Sequence, residues 1–504
     1  MSQRAVKSIV IVGGGTAGWM TATALAKIFD RESCSIRLIE PDGLGTASLD
    51  EATVPAAHEF NRRFGIDERE LMRATNATFR FGTEFKDWRA IGHSYMHTAG
   101  KFGQEIEGVG FQHYWLRQRL TDDAAPIEDF ALSCVAAKKG RFQHPVDDPR
   151  SVYSTYSYAL HLDATLYVSF LRDMAEKLGV ERIEDEVVDV HLGGEDGFIR
   201  GVELKSGDLV DGELFIDCSG FRGLLIEGAL RTGYEDWRGW LPFDSALVVQ
   251  TESTGDPLPY TRATANRAGW QWRTPLQNRV GNGYMYSSAY IGEEAARDVL
   301  LDGLEGELLT DPELARFKPG KRLKMWRRNC VAIGSSSGFL GPLESTEIFL
   351  IQAAITKLIE YFPDAEFPAA NASAYNRQLD TLYAGVRDFI ILHFKATQRD
   401  DSNFWHYCRE MSVPEELALR MQLFASRGVV YRRNGELFDE SDWLAVFLGQ
   451  GVIPEHYDPR ADRIQEEQMR QLLKSMREHI NQAANAMPSH QQAIIASCDP
   501  RVSA

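Results

Sequence analysis

The residue pattern with the clearest chemical use is Gly13-Gly14-Gly15-Thr16-Ala17-Gly18, which satisfies GxGxxG directly after the β-branched run Ser8-Ile9-Val10-Ile11-Val12. Glycines at these spacings make a tight turn, let backbone approach a pyrophosphate, and let a helix pack close against a strand. The helix that follows offers free N–H groups and the positive end of its dipole to phosphate. Glu40 stands 22 residues beyond Gly18, ending a second apolar run, Ser35-Ile36-Arg37-Leu38-Ile39-Glu40, where a carboxylate can accept from ribose hydroxyls. Gly13, Gly15, Thr16, Ala17, Gly18 and Glu40 are therefore assigned to a bound dinucleotide. The motif alone leaves FAD and NAD open.

Other reactive patterns give less. Gly334-Ser335-Ser336-Ser337-Gly338 also satisfies GxSxG, but a turn of small residues opening a helix in a dinucleotide-binding chain explains it without a serine nucleophile. The 12 histidines include no HExxH or other paired spacing, so no metal site is expected. The six cysteines show no CxxC and are too sparse for a disulfide framework; they read as reduced, mostly buried thiols of a cytoplasmic protein.

The elements that must position the glycine turn follow from periodicity. Residues 8–12 and 35–40 read as strands around a helix over 17–29, and strand-like runs return at 183–192, 201–204 and 214–218. Between 50 and 103 the pattern alternates helical and irregular segments. Aromatic and β-branched residues over 245–288 predict a second, largely antiparallel sheet. Residues 345–362 and most of 373–450 read as helices, and the tail from 461 has helical spacing before it turns polar. The expectation is an α/β fold: a Rossmann-like core, a mixed second sheet and a helical C-terminal subdomain. In residues, this is a module over 1–370, its core discontinuous over about 1–50, 180–225 and 325–365, and a subdomain over 371–504.

Composition bounds the partners. A chain of 504 residues exceeds one small core, and its net charge of −17 argues against nucleic acid or an anionic membrane. No 18-residue apolar stretch occurs, and the N-terminal apolar run is too short for a signal core, so no membrane association is expected. A small neutral or zwitterionic substrate suits this balance. Oligomeric state, a homodimer included, stays open.

Two later segments tilt the cofactor toward FAD. Leu214-Phe215-Ile216-Asp217-Cys218-Ser219-Gly220 is a strand entering a turn, and Val331-Ala332-Ile333-Gly334 precedes a run of small residues ending at Thr346. Both look like the cofactor-contacting segments of flavoprotein monooxygenases. Along nearly its whole length the chain resembles the flavin-dependent tryptophan halogenases, nearer to those acting on free indole-like compounds. The resemblance is carried by GGGTAGWM (13–20), DEATVP (50–55), FRFGTEFKDW (79–88), WQWRTPLQNRVGNGYMYSS (270–288), GFLGPLESTEI (338–348) and ELFDESDWLAVFLGQG (436–451).

The resemblance implies a mechanism. Reduced FAD from a separate flavin reductase reacts with oxygen to give a flavin peroxide, which halide (chloride or bromide) attacks. Hypohalous acid then travels through a tunnel to a lysine beside an aromatic substrate, assisted by a glutamate. Glu344 matches that glutamate, and Trp270, Trp272 and Pro275 match the motif that separates substrate from flavin. Thr346 and Glu347 fall where backbone N–H groups bind halide, Ile348 on a flavin contact, and Val187 beside the adenine.

Several positions depart from the family. Arg80 occupies the lysine position, Ser48 and Asp50 replace two glycines of the loop near the flavin, Glu347 replaces a small residue, and Thr274 replaces isoleucine. Arginine stays charged and cannot form the haloamine open to a lysine, though it can donate hydrogen bonds to hypohalous acid. A carboxylate ~4 Å from halide at an effective dielectric of ~20 would cost about 4 kcal/mol, roughly a thousandfold in affinity. A non-halogenating flavin monooxygenase or oxidase is the alternative, and a flavin-binding protein without catalysis the third. Arg80 with Glu344 also reads as a plain buried ion pair, Trp270 and Trp272 as sheet core, and Lys86 as a surface lysine rather than a replacement amine.

Overall fold

The computed structural model describes residues 5–43, 49, 51–121, 124–499 and 501, and the chain divides into two compact units. The first comprises Met1–Ala77, Leu162–Arg238 and Arg316–Ala384; the second Thr78–His161, Gly239–Ala315 and Gly385–Ala504.

The first unit is built on a sheet whose strand order is Trp326–Arg327, Cys330–Ala332, Leu214–Asp217, Ser8–Val12, Ser35–Glu40 and Glu181–Glu184. All neighbours pair in parallel except the first two, which form a short antiparallel turn. A parallel sheet is covered on both faces, so its strands read as continuous apolar runs rather than alternating ones. Ile9, Val10 and Ile11 are indeed fully buried. Helix Thr16–Ile28 starts after Gly15, whose extended backbone turns the chain from strand to helix, and is buried from Gly18 to Leu25. It lies against helices Ala164–Lys177 and Glu347–Glu360.

The second unit centres on a seven-stranded sheet. Ser245–Thr251, Val280–Tyr286, Gly269–Pro275 and Tyr260–Asn266 form its antiparallel part. Gly82–Lys86 then joins in parallel and carries Ser94–Thr98 antiparallel on its far side. Thr78–Arg80 pairs separately with Ala159–His161. The expected mixed second sheet is present, and helices Asn403–Glu410, Glu415–Arg427, Glu440–Gly449 and Glu466–Ala486 supply the helical C-terminal region. Two local expectations need correction. Residues 78–98 hold three strands in place of irregular chain, and the polar tail ends in a further helix, His490–Cys498, started by a capping box between Ser489 and Gln492. Among the described residues no helix is long and apolar enough to cross a membrane.

Candidate active site

In the first unit the glycine turn opens onto a cavity of about 520 Å³. Gly13, Gly15, Thr16 and Ala17 line one side; Val187, Ser219, Arg222, Ser335 and Glu347 line others. The glycines divide by their reasons. Gly13 has φ +112°, and a Cβ there would sit 2.2 Å from the Cys218 carbonyl oxygen. At Gly18 it would meet the Gly13 carbonyl at 1.9 Å. Gly15 has nothing within 4 Å of its Cβ position and an ordinary extended backbone. The fold thus requires Gly13 and Gly18, whereas only an occupant of the cavity gives Gly15 a reason. A bare backbone at a helix N-terminus facing a cavity fits a pyrophosphate, so the residues present fit a dinucleotide.

Glu40 ends its strand behind the turn, 7% exposed. One carboxylate oxygen accepts from Arg182 and the other from the Trp19 indole N–H at 3.2 Å. Gly14 is bare because Glu40 lies against it, a Cβ there falling 1.5 Å from its Oε2. Each carboxylate oxygen carries a second lone pair, so Glu40 keeps the capacity to accept. Ser48 and Asp50 lie outside the described residues.

Asp217 builds the opposite wall. Fully buried at the end of its strand, it accepts from the backbone N–H groups of Ser219, Leu225 and Ile226 and from the Ser219 hydroxyl. These bonds fix the turn that sets Gly220, Phe221 and Arg222 on the cavity. Ser335 lies in the later segment expected to contact the cofactor, whereas Arg222 escaped the sequence reading; an arginine just past a strand-ending glycine turn was the available signal.

Glu344, Thr346, Glu347 and Ile348 come from one segment. Glu344 and Ser345 adopt left-handed backbone, φ 66° and 54°, before helix Glu347–Glu360. Such backbone is costly for side-chain-bearing residues and concentrates at functional sites. Glu344 is 5% exposed. Thr346 and Glu347 share a second cavity of about 10 Å³ with Gly341, Leu350 and Tyr383. The Thr346 hydroxyl is buried without a hydrogen-bond partner among the described residues. The Glu347 carboxyl accepts from the Ser335 hydroxyl at 3.0 Å. Burial pushes that carboxyl above its usual range, against the opposing effect of this hydrogen bond. Ile348 is buried in the helix and is not among the residues lining either cavity.

Arg80 belongs to the second unit and is 4% exposed. Its Nε donates to Thr261 Oγ1 at 3.1 Å and its Nη2 to Thr83 Oγ1 at 2.8 Å. Lys86, on the next strand, is exposed. Trp270 and Trp272 point to the same face of strand Gly269–Pro275. Trp270 packs among Trp88, Phe243 and Phe394, and Trp272 lies over its cross-strand neighbour Gly283. The Pro275 carbonyl accepts from the Thr78 hydroxyl at 2.7 Å. Thr78, Thr83, His161 and Thr261, which surround Arg80, were not singled out from sequence.

The comparisons with known proteins agree with this geometry. The tryptophan halogenase family model matches residues 8–466. The tryptophan 6-halogenase SttH of Streptomyces toxytricini is 34% identical, over 90% of this chain and 91% of its own. The structure of BrvH, a flavin-dependent halogenase from Brevundimonas sp. BAL3, superposes with a TM-score of 0.94 at 44% identity, covering 98% of this chain and 99% of that one. Xcc4156, a flavin-dependent halogenase from Xanthomonas campestris, gives 0.94 at 43%, covering 99% and 100%. With a glycine turn opening on a cavity and these relatives along nearly its whole length, the chain belongs to the tryptophan halogenase family.

Proposed function

We propose that this protein is a reduced-FAD-dependent halogenase acting on an indole or another electron-rich aromatic, served in the cytoplasm by a separate flavin reductase. The observation that supports it most directly is the one cavity joining the glycine turn, Val187 and Glu347. Backbone N–H groups from Gly15 to Ala17 would hold the pyrophosphate, Glu40 the ribose and Val187 the adenine, with Ser48, Asp50 and Ile348 assigned to the cofactor by family position. Bound there, reduced FAD would supply the electrons and oxygen activation needed to oxidise halide.

The chain's own residues do the rest. Thr346 and Glu347 offer backbone N–H groups to chloride or bromide, and a protonated Glu347 removes the repulsion that its carboxylate would impose. Arg80, a permanent cation in a fixed planar fork, donates hydrogen bonds to hypohalous acid and orients it without forming a haloamine. Glu344 assists at the same step by its family position. Trp270, Trp272 and Pro275 keep the aromatic substrate from the cofactor.

An aerobic assay with reduced FAD, a flavin reductase, bromide or chloride, and a panel of indoles, read by mass spectrometry, tests the reading. Replacement of one ring hydrogen by halogen is expected. Oxygen consumption that yields hydrogen peroxide and no halogenated product would overturn it in favour of an oxidase.

A further inference from the structure

The surroundings of Arg80 are set by strand register. Thr78 and Arg80 lie two residues apart on strand Thr78–Arg80 and share a face. Thr78 stands directly opposite His161 in the antiparallel pair. Thr261 stands opposite Thr83 in the parallel pair of Tyr260–Asn266 with Gly82–Lys86. The two hydroxyls that receive the Arg80 fork are therefore adjacent by construction. All five side chains are buried, His161 and Thr78 completely.

The hydrogen bonds among them place a proton on one nitrogen of the ring, and burial beside a fixed cation leaves the other bare. Thr78 Oγ1 lies 2.7 Å from the Pro275 carbonyl, which can only accept, so the Thr78 proton points there. Thr78 Oγ1 must then accept at its 3.0 Å contact with His161 Nδ1, which places a proton on Nδ1. At the other end Arg80 Nε, which can only donate, reaches Thr261 Oγ1 at 3.1 Å. Thr261 Oγ1 keeps its own proton to donate to a bare His161 Nε2, 2.9 Å away. A neutral imidazole protonated on Nδ1 satisfies every contact. Burial first, then the charge of Arg80 and the neighbouring His490, hold the imidazole well below its usual range.

We propose that His161, as the neutral Nδ1–H tautomer, is the positioning residue for Arg80. By accepting from Thr261 it turns a lone pair of that hydroxyl onto Arg80 Nε–H, and with Thr83 it fixes the plane and direction of the guanidinium. The far end of the file is tied to the Pro275 carbonyl, at the end of the strand that carries Trp270 and Trp272. The functional weight of the file rests on the halogenase reading of Arg80; its geometry does not.

His161→Gln and His161→Asn separate the two halves of the imidazole. The Gln amide oxygen reaches where Nε2 accepts and preserves the Thr261–Arg80 arm, whereas the Asn amide nitrogen replaces only the Nδ1 donor to Thr78. Relative to wild type, Gln should keep halogenation kcat within about threefold, while Asn and Thr261→Val lower it ~100-fold, a mispositioning effect. Thr261→Ser should restore it. KM for the aromatic and FAD affinity should stay within about twofold throughout, because neither His161 nor Thr261 is among the residues assigned to substrate or cofactor.

Two NMR readouts are independent of turnover. With ¹⁵N-histidine, His161 should show the Nδ1–H tautomer at neutral pH. With ¹⁵N-arginine, Arg80 Nε–H should be protected from exchange in wild type and His161→Gln and unprotected in His161→Asn and Thr261→Val. An Nε2–H tautomer or an imidazolium at neutral pH, or equal protection in the Gln and Asn variants, would overturn the proposal. Equal turnover of Gln and Asn would overturn the positioning role. Absence of any halogenation by wild type, with the NMR pattern intact, would instead refute the halogenase reading.

Discussion

Gly15 separates what the backbone needs from what a ligand needs. Its Cβ position is open and its φ of −75° suits any residue, so Gly15→Ala should leave the melting temperature unchanged. The methyl would project where phosphate must approach, so FAD affinity should fall about tenfold or more, ~1.4 kcal/mol, in a fluorescence-quenching titration. Gly13→Ala should instead cost more than about 2 kcal/mol of stability, since it combines a positive φ with a backbone clash. Glu347 carries a second prediction. Its carboxyl is raised by burial, so its protonated fraction grows as pH falls. The half-saturating halide concentration should drop with falling pH in the wild type. In Glu347→Gln, which keeps the size and removes the charge, that dependence should flatten; an unchanged slope would show that the carboxylate does not act on halide. The glycine turn and Glu40 were legible in sequence because one short stretch of chain encodes them. Arg80 was visible by resemblance, but its neighbours were not. Thr261 lies 181 residues away, and only strand register brings it to the guanidinium.

Among the elements, strand Gly269–Pro275 packs closely on its neighbour Val280–Tyr286. A Cβ at Gly283 would lie 2.2 Å from the Trp272 ring. Gly283→Ala should destabilise the protein by about 1–3 kcal/mol through overpacking, seen as a lower urea midpoint at unchanged slope. Adding Trp272→Leu should recover part of that loss, because the two residues share one space. The first strands and helix were readable because a parallel strand buried on both faces leaves an unbroken apolar run. The strands over 78–98 were not. Phe79, Phe81 and Phe85 do alternate with Arg80, Gly82, Glu84 and Lys86, a short strand-like signal, but their partners lie far along the chain, so nothing local shows what these strands pair with. Helix His490–Cys498 escaped for a related reason: only His490, Ile494 and Ser497 of its residues are buried, too few for a periodic signal.

For the whole molecule, two buried histidines weaken the fold toward acid. Burial takes His490 down to about 4, and His161 is also held well below its ordinary value. Both bind protons more readily when unfolded, with a reference value of about 6.5. Their contribution to stability is therefore complete above about pH 6.5 and is lost as pH falls through the folded values. For His490 alone the interval down to about 4 corresponds to roughly 3 kcal/mol. Urea unfolding between pH 7 and 4 should show this decline, and His490→Gln should make it shallower. A His490→Gln variant whose pH dependence matches that of the wild type would contradict the buried, neutral state of that ring.

The file from Arg80 to Pro275 has one more property, which concerns proton conduction. A proton travels along hydrogen-bonded groups only if each can pass one on and receive another. At one end the guanidinium keeps its protons, and at the other the Pro275 carbonyl has none to give. The file is closed to conduction at both ends, and its histidine insulates where histidines elsewhere shuttle. The Nδ1 proton of His161 should accordingly exchange with D₂O only when the second unit opens, on the timescale of its slowest backbone amides.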